Sequence, residues 1–340
     1  MCATKPRRPW WSVCARPSAK SMSASFCRTL KQRLLGSCLL GLSVLAAAAG
    51  NDCPPEPKPF SVEMFSSAQR QAKDRGFLWR VTKDGHSSYL YGTLHVGREA
   101  WMAAGPVLEQ ALRNTNTLAL ELDPLDPEVA TQMGQALAKT RVRQVQTLER
   151  YRLVSQLQSQ CMPVESVDQV PAELLLAGLS LNLARRVGLD AQFGSEMLLA
   201  MAARARGMPV VSLETVELQL RALLAADDAE ARQILIDGLN ELESGHARES
   251  LADLVAMWET GDVQRLDTYE QWCKCVVTPM EKLQMQRLLD ERNPSMARRI
   301  DAMHRSGSRV LAAVGSLHMS GPRGLPALLV RMGYTVERLP

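Results

Sequence analysis

Two short segments, near the two ends of the foldable part of the chain, share one pattern. Tyr89-Leu-Tyr-Gly-Thr-Leu-His95 and Val310-Leu-Ala-Ala-Val-Gly-Ser-Leu-His318 are apolar runs that finish in Gly-x-x-His. An apolar run of this length, bounded by turn residues, predicts a buried strand. Ligands of α/β sheets sit at the carboxyl ends of strands. A histidine placed just past such an end therefore faces the region where a sheet keeps its chemistry. These two lie 223 residues apart, so only the fold can bring them together. The glycine before each strand end would let another backbone or a ligand approach closely.

The pattern of elements around them predicts a layered α/β fold. Phe77 to Lys83 alternates like a strand, Asp84-Gly85 is a hairpin signal, and Ser88 to Leu94 returns. A helix over 106–115 and a strand over 117–122 follow. From about Asp126 to Asn293 the spacing is mostly helical, over 127–139, 146–160, 171–187, 195–206, 215–225, 228–243, 247–260 and 279–290, with one strand at 208–213. After Pro294 come a helix to about Arg305, a strand over 308–315, a helix over 324–332 and a last strand from Tyr334 to Arg338. Strands alternating with helices at both ends imply a mixed sheet flanked by helices, with a helix-rich inserted region in the middle.

The first fifty residues differ in kind. Residues 1–49 hold eight Lys or Arg and no acidic residue, and Leu34 to Gly50 is apolar and ends in small residues. Those are the parts of a secretory signal peptide, with cleavage expected near Ala49. The stretch before Met22 is long for such a segment, which leaves Met1 and Met22 as alternative starts. An uncleaved anchor is the other reading, and the only membrane contact expected. Without the segment, 32 basic residues stand against 36 acidic ones, a formal charge of −4 in place of +4. No clustered basic face for nucleic acid is expected. Residues 51–75 read as a proline-rich leader, and 76–340 as the folded domain. Export would make the product periplasmic or secreted.

Four cysteines follow the signal segment: Cys53, Cys161, Cys273 and Cys275. In an exported chain they predict two disulfides. Cys273 and Cys275 are so close in sequence that each is expected to pair with one of Cys53 and Cys161. A Cys-x-Cys metal clip is the rival reading.

Acidic residues complete the candidate site. Glu121 lies in the apolar run Leu118-Ala-Leu-Glu-Leu122, where a carboxylate is costly unless paired or bound to a cation. An edge strand facing water is the plain alternative. Glu214 follows the strand Val210 to Leu213 in the same way, although a helix N-terminus also favours an acid there. Two histidines and a glutamate at converging strand ends form a divalent-metal set, with a second carboxylate as base. Arg292 could steady an oxyanion or orient a carboxylate, but by sequence alone it reads as a solvated helix end. His86, His246 and His304 read as surface residues. The chain has no Gly-x-Ser-x-Gly elbow, His-Glu-x-x-His, phosphate loop or dinucleotide fingerprint.

Taken together, several separated stretches resemble the TraB/PrgY/GumN family, to which the animal Tiki proteases are related. They are Phe77-Leu-Trp-Arg-Val with Tyr91-Gly-Thr-Leu-His95, Leu118-Ala-Leu-Glu-Leu-Asp123, Gly188-Leu-Asp-Ala-Gln-Phe193, Gly207-Met-Pro-Val-Val-Ser-Leu-Glu-Thr-Val-Glu217, Glu291-Arg-Asn293, and Ala313-Val-Gly-Ser-Leu-His318 through Gly333-Tyr-Thr-Val336. The resemblance implies a fold shared with erythromycin-esterase-like and ChaN-like proteins. It also implies a metallopeptidase-like site using manganese or cobalt, with zinc as a further option. In that reading His95, His318 and Glu121 are ligands, and Glu121, Glu214 and Arg292 are catalytic. Asp190 and Asn293 are expected to contact a peptide or small-molecule substrate. The alternatives are a protein that sequesters such a ligand without cleaving it, and an esterase-like or haem-binding relative. Oligomeric state has no signal in the sequence.

Overall fold

A computed structural model describes residues 53–340; the expected signal peptide lies outside the described residues. Six strands form one mixed sheet: β1 (Phe77–Lys83), β2 (His86–Thr93), β3 (Thr117–Leu120), β4 (Val210–Ser212), β5 (Val310–Gly315) and β6 (Thr335–Arg338). Their spatial order is β4-β3-β5-β2-β1-β6. The turn between β1 and β2 holds Asp84 at φ 48° and Gly85 at φ 80°, the two positive φ values that a tight hairpin requires. β6 adds antiparallel to β1 at the edge. The other pairings, β2–β5, β5–β3 and β3–β4, are parallel.

Parallel strands need both faces covered, and the sequence supplies apolar residues on both. Val310 to Val314 are all fully buried, as are Leu118, Ala119 and Leu120. The register places Thr93 opposite Gly315, Leu120 opposite Ala313, and Leu120 opposite Ser212 on its other side. Four parallel strands therefore end along one edge, and the chain leaves them through His95, His318, Glu121 and Glu214.

The helices follow the spacing closely. Pro127–Lys139 and Pro279–Met285 start with proline in the first turn, where a missing N–H costs nothing. Thr278 and Glu281 close a capping box. Within the helical middle, Leu153, Leu157, Leu175, Leu179, Leu235 and Leu239 form a core of their own. Among the described residues no helix is long and apolar enough to cross a membrane.

Within the leader region, Val62–Arg70 is a helix capped by Ser61, and its Ala68 packs with Met102, Ala103 and Phe193. Two expectations need correction. The disulfides pair differently. Cys53 bonds Cys161 and Cys273 bonds Cys275, with Cα–Cα distances of 5.5 and 5.1 Å, so neither the cross-pairing nor the metal clip is present. The close pair is possible because Lys274 takes φ 54° and folds the chain back on itself. Finally, His304 is not a surface residue. Its ring is fully buried and stacks 3.7 Å from that of His86. His86 and His246 are half-buried.

The His304 ring sits in a chain of hydrogen bonds that suits the neutral imidazole. Val310 N–H donates to Ser88 Oγ, Ser88 O–H donates to His304 Nδ1 (2.9 Å), and His304 Nε2–H donates to the Lys83 carbonyl (3.0 Å). Burial pushes its pKa below the usual histidine value. The unfolded chain therefore takes up this proton first, near its ordinary pKa of about 6.5. The stability that His304 contributes is complete above that pH and is lost as pH falls toward the folded-state value. Urea unfolding at stepped pH should show this decline, and His304→Gln should flatten it; equal slopes in the two proteins would remove His304 as its cause.

Candidate functional site

Each of the four parallel strands delivers one predicted side chain to the shared edge. Glu121 leaves β3 and turns inward, 7% exposed, which rules out the water-facing edge strand. Its Oε1 accepts the Gly315 N–H at 2.8 Å, and its Oε2 meets Arg292 Nη2 at 2.5 Å. Gly315 is glycine for a local reason: a Cβ there would lie 3.2 Å from Glu121 Oε1 and 3.6 Å from the His318 ring. The glycine of the first motif, Gly92, gives way instead to Ser316 and Phe77, each 3.2 Å from where its Cβ would stand. The close approach expected of both glycines is thus present.

His318 is 3% exposed in the turn after β5. Its Nδ1 lies 2.6 Å from Asn293 Oδ1, while Asn293 Nδ2 donates to the Arg323 carbonyl. That second bond fixes which end of the amide faces the ring. Asn293 Oδ1 can only accept, so the proton is on Nδ1 and the Nε2 lone pair is bare. Nε2 in turn lies 3.6 Å from Glu121 Oε1. Burial pushes the His318 pKa down to about 4, so the ring is neutral at pH 7. For Glu121, burial acts upward, but the charges of His318, Arg292 and His95 bring its pKa down to about 2. At neutral pH, with His318 uncharged, Arg292 is its main buried partner.

His95 is oriented from the same nitrogen. Its Nδ1 sits 2.9 Å from Glu196 Oε1, an oxygen that also receives the Thr93 hydroxyl. Ser195, next in chain, accepts the Leu94 N–H at 2.8 Å and ties the helix Ser195–Ala205 to the end of β2. The Glu196 charge raises the His95 pKa to about 9, with burial opposing. The side chain is 66% exposed, so water reaches the pair and screens it.

Arg292 is the reverse of a solvated helix end. It is 7% exposed and binds Glu214 with both Nε and Nη2, Glu121 with Nη2, and the Leu288 carbonyl with Nη1. A π-helical turn, Gln286–Asp290, precedes it; such turns recur at functional sites. Both carboxylates expected to be catalytic are thus already engaged by one cation.

The remaining expected residues hold the frame. Both ends of the Asn293 amide are used, and it acts through His318. Asp190 exchanges backbone hydrogen bonds with Gly97, two residues past His95, while its carboxylate accepts from Gln192 N–H and faces Arg185. Its side chain is therefore not joined to the cluster. Glu196 is the residue that sequence reasoning missed. It lies three positions past the Gly188–Phe193 motif, in a helix first turn where a carboxylate is ordinary.

The donor chemistry suits a divalent cation: two imidazoles, each held at Nδ1 by an oxygen, and a carboxylate that feels the charge of both. Such outer partners are what orient metal-binding histidines. The side chains do not yet close around an ion, since among the described residues no three His, Cys, Asp or Glu groups stand in metal-holding positions.

The chain is similar to known sequences over most of its length. The TraB/PrgY/gumN family model matches residues 77–338. The uncharacterized protein YbaP of Shigella flexneri is 23% identical over 254 residues, spanning 71% of this chain and 87% of its own length. The uncharacterized protein YbaP of Escherichia coli strain K12 is 23% identical over 253 residues with the same coverage. No solved structure matches.

Removing the guanidinium should expose what it holds. Arg292→Met leaves Glu121 and Glu214 buried without their cation, which should cost about 3–5 kcal/mol of unfolding free energy. Adding Glu121→Gln and Glu214→Gln should recover much of that loss. A loss under about 1 kcal/mol in denaturant titration would mean that the three groups are not coupled.

Proposed function

The chain belongs to the TraB/PrgY/gumN family, and on that premise we propose that it is an exported, metal-dependent hydrolase of peptides. In this reading His95, His318 and Glu121 hold one divalent cation. Manganese or cobalt follows from the family resemblance, and zinc also accepts such ligands.

One observation carries the reading. His318 Nε2 and Glu121 Oε1 face each other at 3.6 Å, and neither bears a proton to share. Two acceptors aimed at one another in a buried place repel, and a cation beside them relieves that repulsion. The bare nitrogen follows from Asn293, whose orientation is set by Arg323. A bound divalent ion would polarise a substrate carbonyl and acidify a water.

The chain's own residues supply order. Asn293 and Glu196 fix the two rings and make them better donors. Gly315 N–H and Arg292 hold Glu121 ionised and aimed. Glu214, with both oxygens on Arg292, is a positioning residue that keeps the guanidinium in place. The exposed face of His95 admits water and an extended peptide, while the His318 side is shut from solvent.

The test joins metal content with turnover. The purified protein should hold about one divalent ion per chain and release fragments from a peptide mixture by mass spectrometry. His95→Ala and His318→Ala should each lose the ion and reduce turnover at least ~100-fold, with the circular dichroism spectrum unchanged. Retained turnover in both variants sinks the proposal. Metal and peptide binding without product would instead identify a sequestering protein, and a visible absorption band on haem titration would point to a haem-binding relative.

A further inference from the structure

We propose that the Cys273–Cys275 disulfide is a thiol–disulfide exchange site, opened by an external dithiol and re-formed by the corresponding external disulfide, while Cys53–Cys161 stays closed. The two cross-links differ in what they do for the fold. Cys53–Cys161 joins residues 108 apart in sequence, whereas Cys273–Cys275 joins residues 2 apart. A cross-link stabilises in proportion to the logarithm of the chain that it closes, so the short ring adds little to folding. Its closure also keeps Lys274, which is not a glycine, at φ 54°, a left-handed conformation that costs energy and is freed when the ring opens.

The surroundings suit exchange. Cys273 is 1% exposed, Cys275 is half-buried, and Lys274 between them is exposed. An incoming thiolate therefore reaches the sulfur of Cys275, past a basic side chain that favours its charge. Attack forms a bond between the external sulfur and Cys275 Sγ and breaks the bond to Cys273 Sγ. Cys273 leaves as a thiolate, already facing the Cys275 N–H at 3.1 Å. The second thiol of the external molecule then attacks its own sulfur in the mixed disulfide. Cys275 leaves as a thiolate into the hydrogen bond of the Tyr269 hydroxyl, 2.9 Å away. Burial pushes the Tyr269 pKa up to about 12, so it keeps its proton and donates. The dithiol departs as a disulfide, two electrons pass to the protein, and the two protons of the dithiol go to the new thiols. Donors at both leaving sulfurs speed the step.

The full chain, equilibrated in graded mixtures of reduced and oxidised dithiothreitol, is alkylated and mapped by mass spectrometry. Cys273–Cys275 should be half-reduced at a reduced-to-oxidised ratio at least ~10-fold below that for Cys53–Cys161, with the far-ultraviolet spectrum unchanged. Coincident midpoints, a more resistant short ring, or free thiols at 273 and 275 under all conditions would overturn the proposal. Single variants test the order of attack. Cys275 in Cys273→Ser should take up glutathione from its disulfide at least ~10-fold faster than Cys273 in Cys275→Ser. Equal or reversed rates would refute Cys275 as the sulfur attacked. Tyr269→Phe should slow reduction of the short ring about 5–10-fold and leave the long one unchanged; an unchanged rate removes the tyrosine from the step.

Discussion

One buried guanidinium organises the site. Arg292 is bonded to Glu121 at the end of β3, to Glu214 at the end of β4 and to the Leu288 carbonyl in the π-helical turn. Few arrangements inside a protein tolerate two buried carboxylates together. This one does because a planar fork of donors meets both. The residue after Arg292 is Asn293, which sets the tautomer of His318. A single helix start thus holds two glutamates in place and sets the lone pair of one histidine.

The same logic makes the two histidines unequal. His318 is enclosed, neutral and held by an amide oxygen. His95 is open to water and held by a carboxylate that favours its charged form. Binding a cation at both would need only the loss of the His95 proton, so the exposed ring is the one that responds to pH. Leu317, directly before His318, packs against the cluster of Tyr269, Cys273 and Val276.

Much of this frame was legible from residue order. Apolar runs that end in Gly-x-x-His announced buried strands, and Asp84-Gly85 announced the hairpin. The helix boundaries followed from spacing and from proline. Glu121 stood out because a carboxylate in an apolar strand has to find a partner. What stayed hidden were partners contributed by distant elements. Glu196 looks like any acid in a helix first turn, Arg292 like any basic helix end, and His304 like a surface histidine. Their burial depends on what packs over them, which no local pattern records. The short disulfide was hidden for another reason, because a left-handed lysine has no signature in residue type.

By itself, then, the sequence determined the elements, the sheet class and the strand ends from which the candidate residues emerge. Those follow from periodicity and backbone preference, which act over a few residues. Tertiary structure alone decided the strand order, which sets β5 between β2 and β3 and so places His318 beside Glu121. It also decided which nitrogen of His318 carries the proton and which cation holds the glutamates. Such choices are made by electrostatics and desolvation across groups far apart in the chain, and they exist only once the sheet has closed around them.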